Sequence, residues 1–237
     1  MGVAHLIMAT KYNPISIPVG PSYGGDRWFC FSPTLLREVA FSNQLKADRW
    51  ATLEWNSNCS TFCEQPAEAS AWLEGAHAKA SIHFWVRMSD DSEFLERVLY
   101  DDRPLSSGES KKHAACFKWC EVQNKTFRVI KQSDLRKNAL LLTNWKYVLG
   151  FYDERSYAKK IETVRGAYAA VLALISTASS SMSVQRLLDK IQKDIPLTQA
   201  RLALFDLLRR GSVTTQLETH LLTGESIVRL NENKKSS

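Results

Sequence analysis

The sequence predicts an α/β protein, with strands in its first part and mostly helices in its last. Three observations predict this. Runs rich in aromatic and β-branched residues recur between Cys59 and Lys131, Ser81–Met88 (SIHFWVRM) being the clearest. From Ser133 onward the apolar residues recur at helical spacing. Between helical stretches lies the serine-rich seam Ser176–Ser183 (STASSSMS), the strongest boundary signal in the chain.

Taken in order, residues 1–25 hold Pro14, Pro18, Gly20, Pro21, Gly24 and Gly25 and read as an extended arm. Pro33 opens a helical segment, TLLREVAFSNQLKADRWATLEWN, with Leu35, Val39, Leu45 and Leu53 at roughly helical spacing. Cys59–Pro66 reads as extended, stopped by its proline. Ala67–Leu73 and Ala80–Met88 read as strands joined through Glu74-Gly75, and Asp90-Asp91-Ser92 turns the chain into a further strand, Glu93–Tyr100. A polar loop leads to a helix over Ser110–Val122 and a short strand, Thr126–Lys131. Helices follow over Ser133–Leu142, Asn144–Tyr152 and Asp153–Thr177.

Beyond the seam, Ser183 caps the helix VQRLLDKIQKD. Pro196 starts TQARLALFDLLRR, which Gly211 closes, and a short extended piece, a short helix and a last strand end the chain. That order is the outline of a winged-helix or related small domain. The expected domains are an arm (1–25), an α/β domain (26–152) and a helical C-terminal domain (153–237).

The 237 residues carry 31 Lys+Arg against 25 Asp+Glu, 44% hydrophobic and 24% charged, which excludes wholesale disorder and collagen-like architecture. No apolar run reaches the roughly 18 residues of a membrane span, the longest candidate being Ala167–Ile175. The N-terminus lacks a basic region leading into an apolar one, so no secretory signal is expected. Five cysteines, an odd number, argue for a reducing compartment rather than a disulfide framework. A soluble, cytoplasmic protein is expected.

The charge is uneven: residues 1–100 hold 8 basic and 11 acidic side chains, residues 101–237 hold 23 and 14. Between Lys111 and Arg165, 13 basic residues face 5 acidic ones, interleaved with Phe117, Trp119, Phe127, Trp145, Tyr147, Phe151 and Tyr152. Phosphate contact and base stacking require such a stripe, and a solvated face over a core would show it too. The candidate DNA-contacting residues are Lys111, Lys112, Lys118, Lys125, Arg128, Lys131, Arg136 and Lys137. Cys59-x3-Cys63 and Cys116-x3-Cys120, with His113 nearby, form a loose zinc pattern, but a cysteine pair one turn apart on a helix also suits a core. His77, His113 and His220 read as surface or capping residues. Neither a glycine-rich phosphate loop nor a G-x-S-x-G motif is present.

Several segments, in order, resemble the TnsA-like proteins of bacterial heteromeric transposons. Leu53-Glu54 followed by Ser60-Thr61-Phe62-Cys63-Glu64-Gln65-Pro66 looks like that family's "LE … V-x-x-F-x-E-Q-P", and Ser81-Ile82-His83-Phe84-Trp85-Val86 aligns with its "PDFWV". Phe94-Leu95-Glu96-Arg97-Val98 falls at "xxExK". Thr126–Ile130, Asp134-Leu135-Arg136, Asn144, Leu149 and Tyr152 are similar to the tail "FxVxTxxDIR … N … L … Y", and Leu207–Val213 echoes "LLxxGxL". The likeness spans about residues 35–230 at low identity.

The resemblance implies a PD-(D/E)xK, restriction-endonuclease-like fold: a mixed sheet flanked by helices, followed by a helical domain. It also implies a site in which a helix Glu, a strand Asp and an ExK pair hold divalent metal and activate water. Here His83 stands at the Asp position and Val98 at the Lys position. No carboxylate stands near Phe41–Lys46, where the helix Glu falls, and only Glu96 remains. A displaced ligand would have to come from Glu38 or Asp48. One His and one Glu make a poor Mg²⁺ site, so loss of nuclease activity is expected and no cofactor with it.

The implied role is in DNA transposition: a catalytically degenerate, nucleoid-associated subunit that binds DNA and bridges a TnsB-like transposase to a TnsC-like AAA+ ATPase. For the C-terminal region this offers Leu202, Phe205, Arg209 and Arg210, with Leu208 and Arg229 beside them, as a partner face. The plainer reading makes the apolar members core. The alternatives are an active Mg²⁺-dependent endonuclease cutting transposon 5′ ends and a structural relative of the fold such as a phage head-completion protein.

Overall fold

In a computed structural model the described residues are 11–16, 27–73, 75–102, 104–152, 161–178 and 181–231. The chain is mixed α/β and divides into two compact units, Met1–Lys137 and Asn138–Ser237.

In unit 1, β1 (Trp28–Ser32) and β2 (Arg37–Phe41) form an antiparallel hairpin, with Trp28 opposite Phe41. This corrects the expected helix from Pro33, which begins only at α1 (Gln44–Glu54). The turn carries Leu36 at φ 56, a left-handed position that Leu rarely adopts, and it is pinned from outside the hairpin. Glu54, 4% exposed at the end of α1, accepts from the hydroxyls of Ser32 and Thr34 and from Trp50 Nε1. Asn43 caps α1 by accepting from Lys46 N at 3.0 Å.

β3 (Cys59–Glu64), β6 (Phe84–Met88), β7 (Glu93–Leu99) and β8 (Phe127–Lys131) form the central sheet in the order β3-β6-β7-β8. β6 runs antiparallel to β3 and β7, whereas β8 runs parallel to β7. A parallel neighbour demands a crossover, and α2 (Ser107–Val122) supplies it. The expected strand Ala80–Met88 is two: β5 (Ala76–Ser81) pairs with β4 (Glu68–Leu73), and the chain breaks at Ile82-His83 before β6. Gly75 (φ 82) lies in the β4–β5 turn, while Glu74 lies outside the described residues. One sheet face packs Phe41, Trp50 and Phe84 together; the other packs Cys63, Ile82, Trp85 and Leu95 against Cys116 and Cys120 of α2. After β8 comes one turn, α3 (Gln132–Leu135).

Unit 2 begins with α4 (Ala139–Leu149), so the expected helices Ser133–Leu142 and Asn144–Tyr152 divide instead at Arg136–Asn138. The unit boundary at 137/138 precedes the expected 152/153 junction because Asn144 ties α4 into unit 2. Its amide donates to Leu217 O and His220 O at 2.7 Å, and its Oδ1 accepts from Leu222 N at 2.8 Å. α5 (Ile161–Thr177), β9 (Met182–Ser183), α6 (Val184–Ile191), α7 (Leu197–Arg209), β10 (Val213–Thr214) and β11 (Ile227–Leu230) complete it. The expected first turns of α5, residues 153–160, lie outside the described residues, as does much of the expected arm. β9, β11 and β10 form a small antiparallel sheet with β11 central. Ser183 caps α6 and Gly211 (φ 66) ends α7, as the sequence predicts.

Candidate functional site

The residues singled out at the resembled metal centre converge on β7 and its neighbours, and each is already engaged. Glu96 is 1% exposed and accepts from Arg49 of α1 with both oxygens, Nε to Oε2 at 2.9 Å and Nη2 to Oε1 at 2.8 Å. His83 precedes β6 at the point where the β6–β7 ladder ends. Its own N–H donates to Glu96 O, and its Nδ1 accepts from Val98 N at 3.0 Å, so in the neutral ring the proton sits on Nε2. The imidazole thereby satisfies a strand N–H that β6 does not reach. Burial, and after it the cations Lys46 and Arg97, hold its pKa well below the usual value and keep it neutral. Val98 is 5% exposed and apolar.

Neither displaced carboxylate joins this group. Glu38 stands exposed on β2 rather than on α1. Asp48 is on α1 but 1% exposed and paired with Arg136 (Nε to Oδ2, 3.0 Å). Glu64 of the EQP stretch is held by Arg37 at 2.7 Å. Among the described residues no group of three or more His, Cys, Asp or Glu is arranged to hold a metal ion.

The zinc candidates are core thiols. Cys63, Cys116 and Cys120 are fully buried in one apolar cluster with Trp85, and Cys59 is half-buried at the start of β3. Burial pushes Cys59, Cys63 and Cys120 up to about 12 and Cys116 up to about 11, so the thiols stay protonated.

The basic candidates divide. Lys112 pairs with Glu109, Lys118 with Glu121, and Arg136 with buried Asp48; Arg128 lies over the Phe94 ring, 3.0 Å from its centroid. Lys111, Lys131 and Lys137 stand exposed, and Lys125 is half-buried. The expected partner face in unit 2 is interior: Leu202, Phe205 and Leu208 are 3–5% exposed, and Arg209 and Arg210 both bind Asp206, itself fully buried. Arg229 is exposed on β11.

What the sequence did not single out is a cavity of about 740 Å³ beyond the carboxyl end of β7, against the first turns of α1 and α2. Lys46, Lys79, Arg97 and Lys112 line it against two carboxylates, Glu68 and Glu109, with His83 in its wall. A crevice outside the carboxyl ends of strands is a common place for ligands in α/β sheets. Lys46 is 9% exposed, and burial, then the Arg97 charge, brings its pKa down to about 8. Arg97 is missed by motif reading because it faces α2, opposite to Glu96 and Val98, as strand alternation requires.

No protein-family model and no curated protein sequence matches the chain. Among the described residues no helix is long and apolar enough to cross a membrane.

Proposed function

We propose that this chain is a TnsA-like DNA transposition protein without hydrolytic activity, which binds DNA and bridges a TnsB-like transposase to a TnsC-like ATPase. The observation that carries the reading is the Arg49–Glu96 pair. The one carboxylate left at the resembled centre has both oxygens committed to a guanidinium, and the Asp and Lys positions of the resembled motif are held by His83 and Val98, neither of which supplies an oxygen ligand. A site depleted of free carboxylates no longer repels a phosphate backbone, and the exposed lysines of the 111–137 stretch are available to meet one. The mixed β3-β6-β7-β8 sheet with its flanking helices is compatible with a restriction-endonuclease-like fold. The order α5-β9-α6-α7-β10-β11, with β11 central, supports a winged-helix module in unit 2. Leu202–Leu208 of α7 are buried, so the apolar face of that helix serves the interior of unit 2 and a partner would have to meet other surfaces of the module.

The test is the salt dependence of duplex binding in EDTA, followed by fluorescence anisotropy. Affinity is expected to fall steeply between roughly 50 and 200 mM salt. Replacing Lys111, Lys131 and Lys137 together by glutamine is expected to flatten the log–log slope by about 3. An unchanged slope, or no binding by the parent chain, contradicts the reading.

A further inference from the structure

We infer that the cavity beyond β7 is a binding site for a phosphate group carried on a larger ligand. Four observations converge. Arg97 is 3% exposed, and only its Nη2 is engaged, donating to Glu109 Oε2 at 3.0 Å. Its Nε and Nη1 are buried without a hydrogen-bond partner among the described residues. Buried guanidinium donors left unmade are costly, and an acceptor delivered by a ligand removes that cost.

Lys46 supplies a second buried cation. Its Nζ donates to the Ser42 hydroxyl at 2.8 Å, and no ion pair to a carboxylate is formed with it among the described residues. The two cavity carboxylates are already committed. Glu109 Oε1 takes Lys112 and Oε2 takes Arg97, while Glu68 faces Lys79 at 3.4 Å. Two cations therefore face the cavity with charge or donors in excess of its acids.

The fourth observation is backbone polarity. Asn43 and Ser106, the N-caps of α1 and α2, both line the cavity, so the positive ends of an 11-residue and a 16-residue helix meet there. Buried cations with helix N-termini favour an anion rich in acceptor oxygens and disfavour a divalent cation. Phosphate meets that requirement. The volume, about 740 Å³, is far larger than inorganic phosphate needs, which is why the ligand carries the group on a larger body. The 5′-phosphate of a polynucleotide end and a phosphorylated small molecule present the same chemistry.

The inference stands apart from the DNA reading, and its test separates the two. The full chain is titrated with inorganic phosphate by calorimetry and thermal melting, against chloride at equal ionic strength. It is then titrated with matched duplexes bearing a 5′-phosphate or a 5′-hydroxyl. Phosphate is expected to bind and to raise the melting temperature, and Arg97→Gln and Lys46→Gln are each expected to weaken it at least about tenfold while Lys118→Gln leaves it unchanged. Should Arg97→Gln fail to fold by circular dichroism, Lys46→Gln and the exposed Lys112→Gln decide. A preference for the 5′-phosphorylated duplex that Lys46→Gln removes identifies a polynucleotide end as the source. Phosphate binding with equal affinity for both duplexes identifies a small phosphorylated molecule. Phosphate acting no differently from chloride, or binding that folded Arg97→Gln and Lys46→Gln both retain, overturns the inference, whatever the affinity for duplex DNA.

Discussion

Arg49→Ala is expected to destabilise unit 1 by about 3–5 kcal/mol, a large share of the stability of an ordinary domain. Arg49 is the partner of both Glu96 oxygens, and Glu96 is 1% exposed between α1 and the sheet. Truncating the arginine strands a carboxylate where water cannot reach it, so the loss exceeds that of a surface pair, about 0–1 kcal/mol. Equilibrium denaturation in urea measures it. The double variant Arg49→Met, Glu96→Leu is expected to recover most of the loss, because an apolar pair of similar volume removes the stranded charge together with its partner. A single variant within about 0.5 kcal/mol of the parent would mean that Glu96 does not depend on Arg49 for its burial.

The second large effect belongs to unit 2. Asp206 is fully buried in α7 and serves four partners: the hydroxyls of Tyr168 (2.5 Å) and Tyr152 (3.4 Å) and the guanidiniums of Arg209 (3.1 Å) and Arg210 (2.5 Å). Asp206→Ala is expected to cost about 3–5 kcal/mol, since it removes one buried, charged acceptor that two tyrosine hydroxyls and two guanidiniums share. Burial alone would raise its pKa, but Arg209, Arg210 and the Tyr168 hydrogen bond outweigh burial and hold the carboxyl below its usual range. A folded-state value below the unfolded one gives stability that is complete above the unfolded value, about 3.9, and is lost as the pH falls through the folded one. The gap between the parent chain and Asp206→Ala is therefore expected to be constant near neutrality and to shrink below about pH 4. Thermal melts across pH 2.5–7 read both effects, and a gap that widens toward acid contradicts this role.

Much of the central sheet was legible in the sequence. The stretches around Cys59–Glu64, Phe84–Met88, Glu93–Leu99 and Phe127–Lys131 are short, aromatic or β-branched and bounded by turn residues, and they are β3, β6, β7 and β8. The β1–β2 hairpin was not legible. Its turn holds no glycine or asparagine, and Leu36 takes the left-handed position because Glu54, far along the chain, holds the Ser32 and Thr34 hydroxyls. REVAF buries Val39 and Phe41, an alternation too short to outweigh the helical spacing that runs on into α1. The missed break at Ile82-His83 also has a tertiary cause: Ile82 N donates to Ala67 O and His83 N to Glu96 O, so the chain switches partners there.

At the site, the sequence located His83, Glu96 and Val98 along the strands but was silent about their partners. Glu96 meets Arg49 across 47 positions, and Asp48 meets Arg136 across 88. Such long-range charge pairing leaves no local signal. Lys46 and Arg97 were passed over for a related reason: a motif built around metal ligands directs attention to carboxylates, whereas the cavity is defined by buried cations. Leu202 and Phe205 show the converse. Their helical spacing is legible, but spacing alone cannot tell a face that meets a partner from one that meets its own unit, and burial decides for the interior.

The most direct test of the account incubates the full chain with supercoiled plasmid and labelled duplex in EDTA, Mg²⁺ or Mn²⁺, with binding and nicking read from the same samples. With Glu96 held by Arg49 and His83 and Val98 beside it, salt-sensitive binding of equal strength in all three conditions, without nicking in any, is predicted. Metal-dependent nicking that disappears in a folded Glu96→Gln variant would contradict the account and establish the endonuclease in its place.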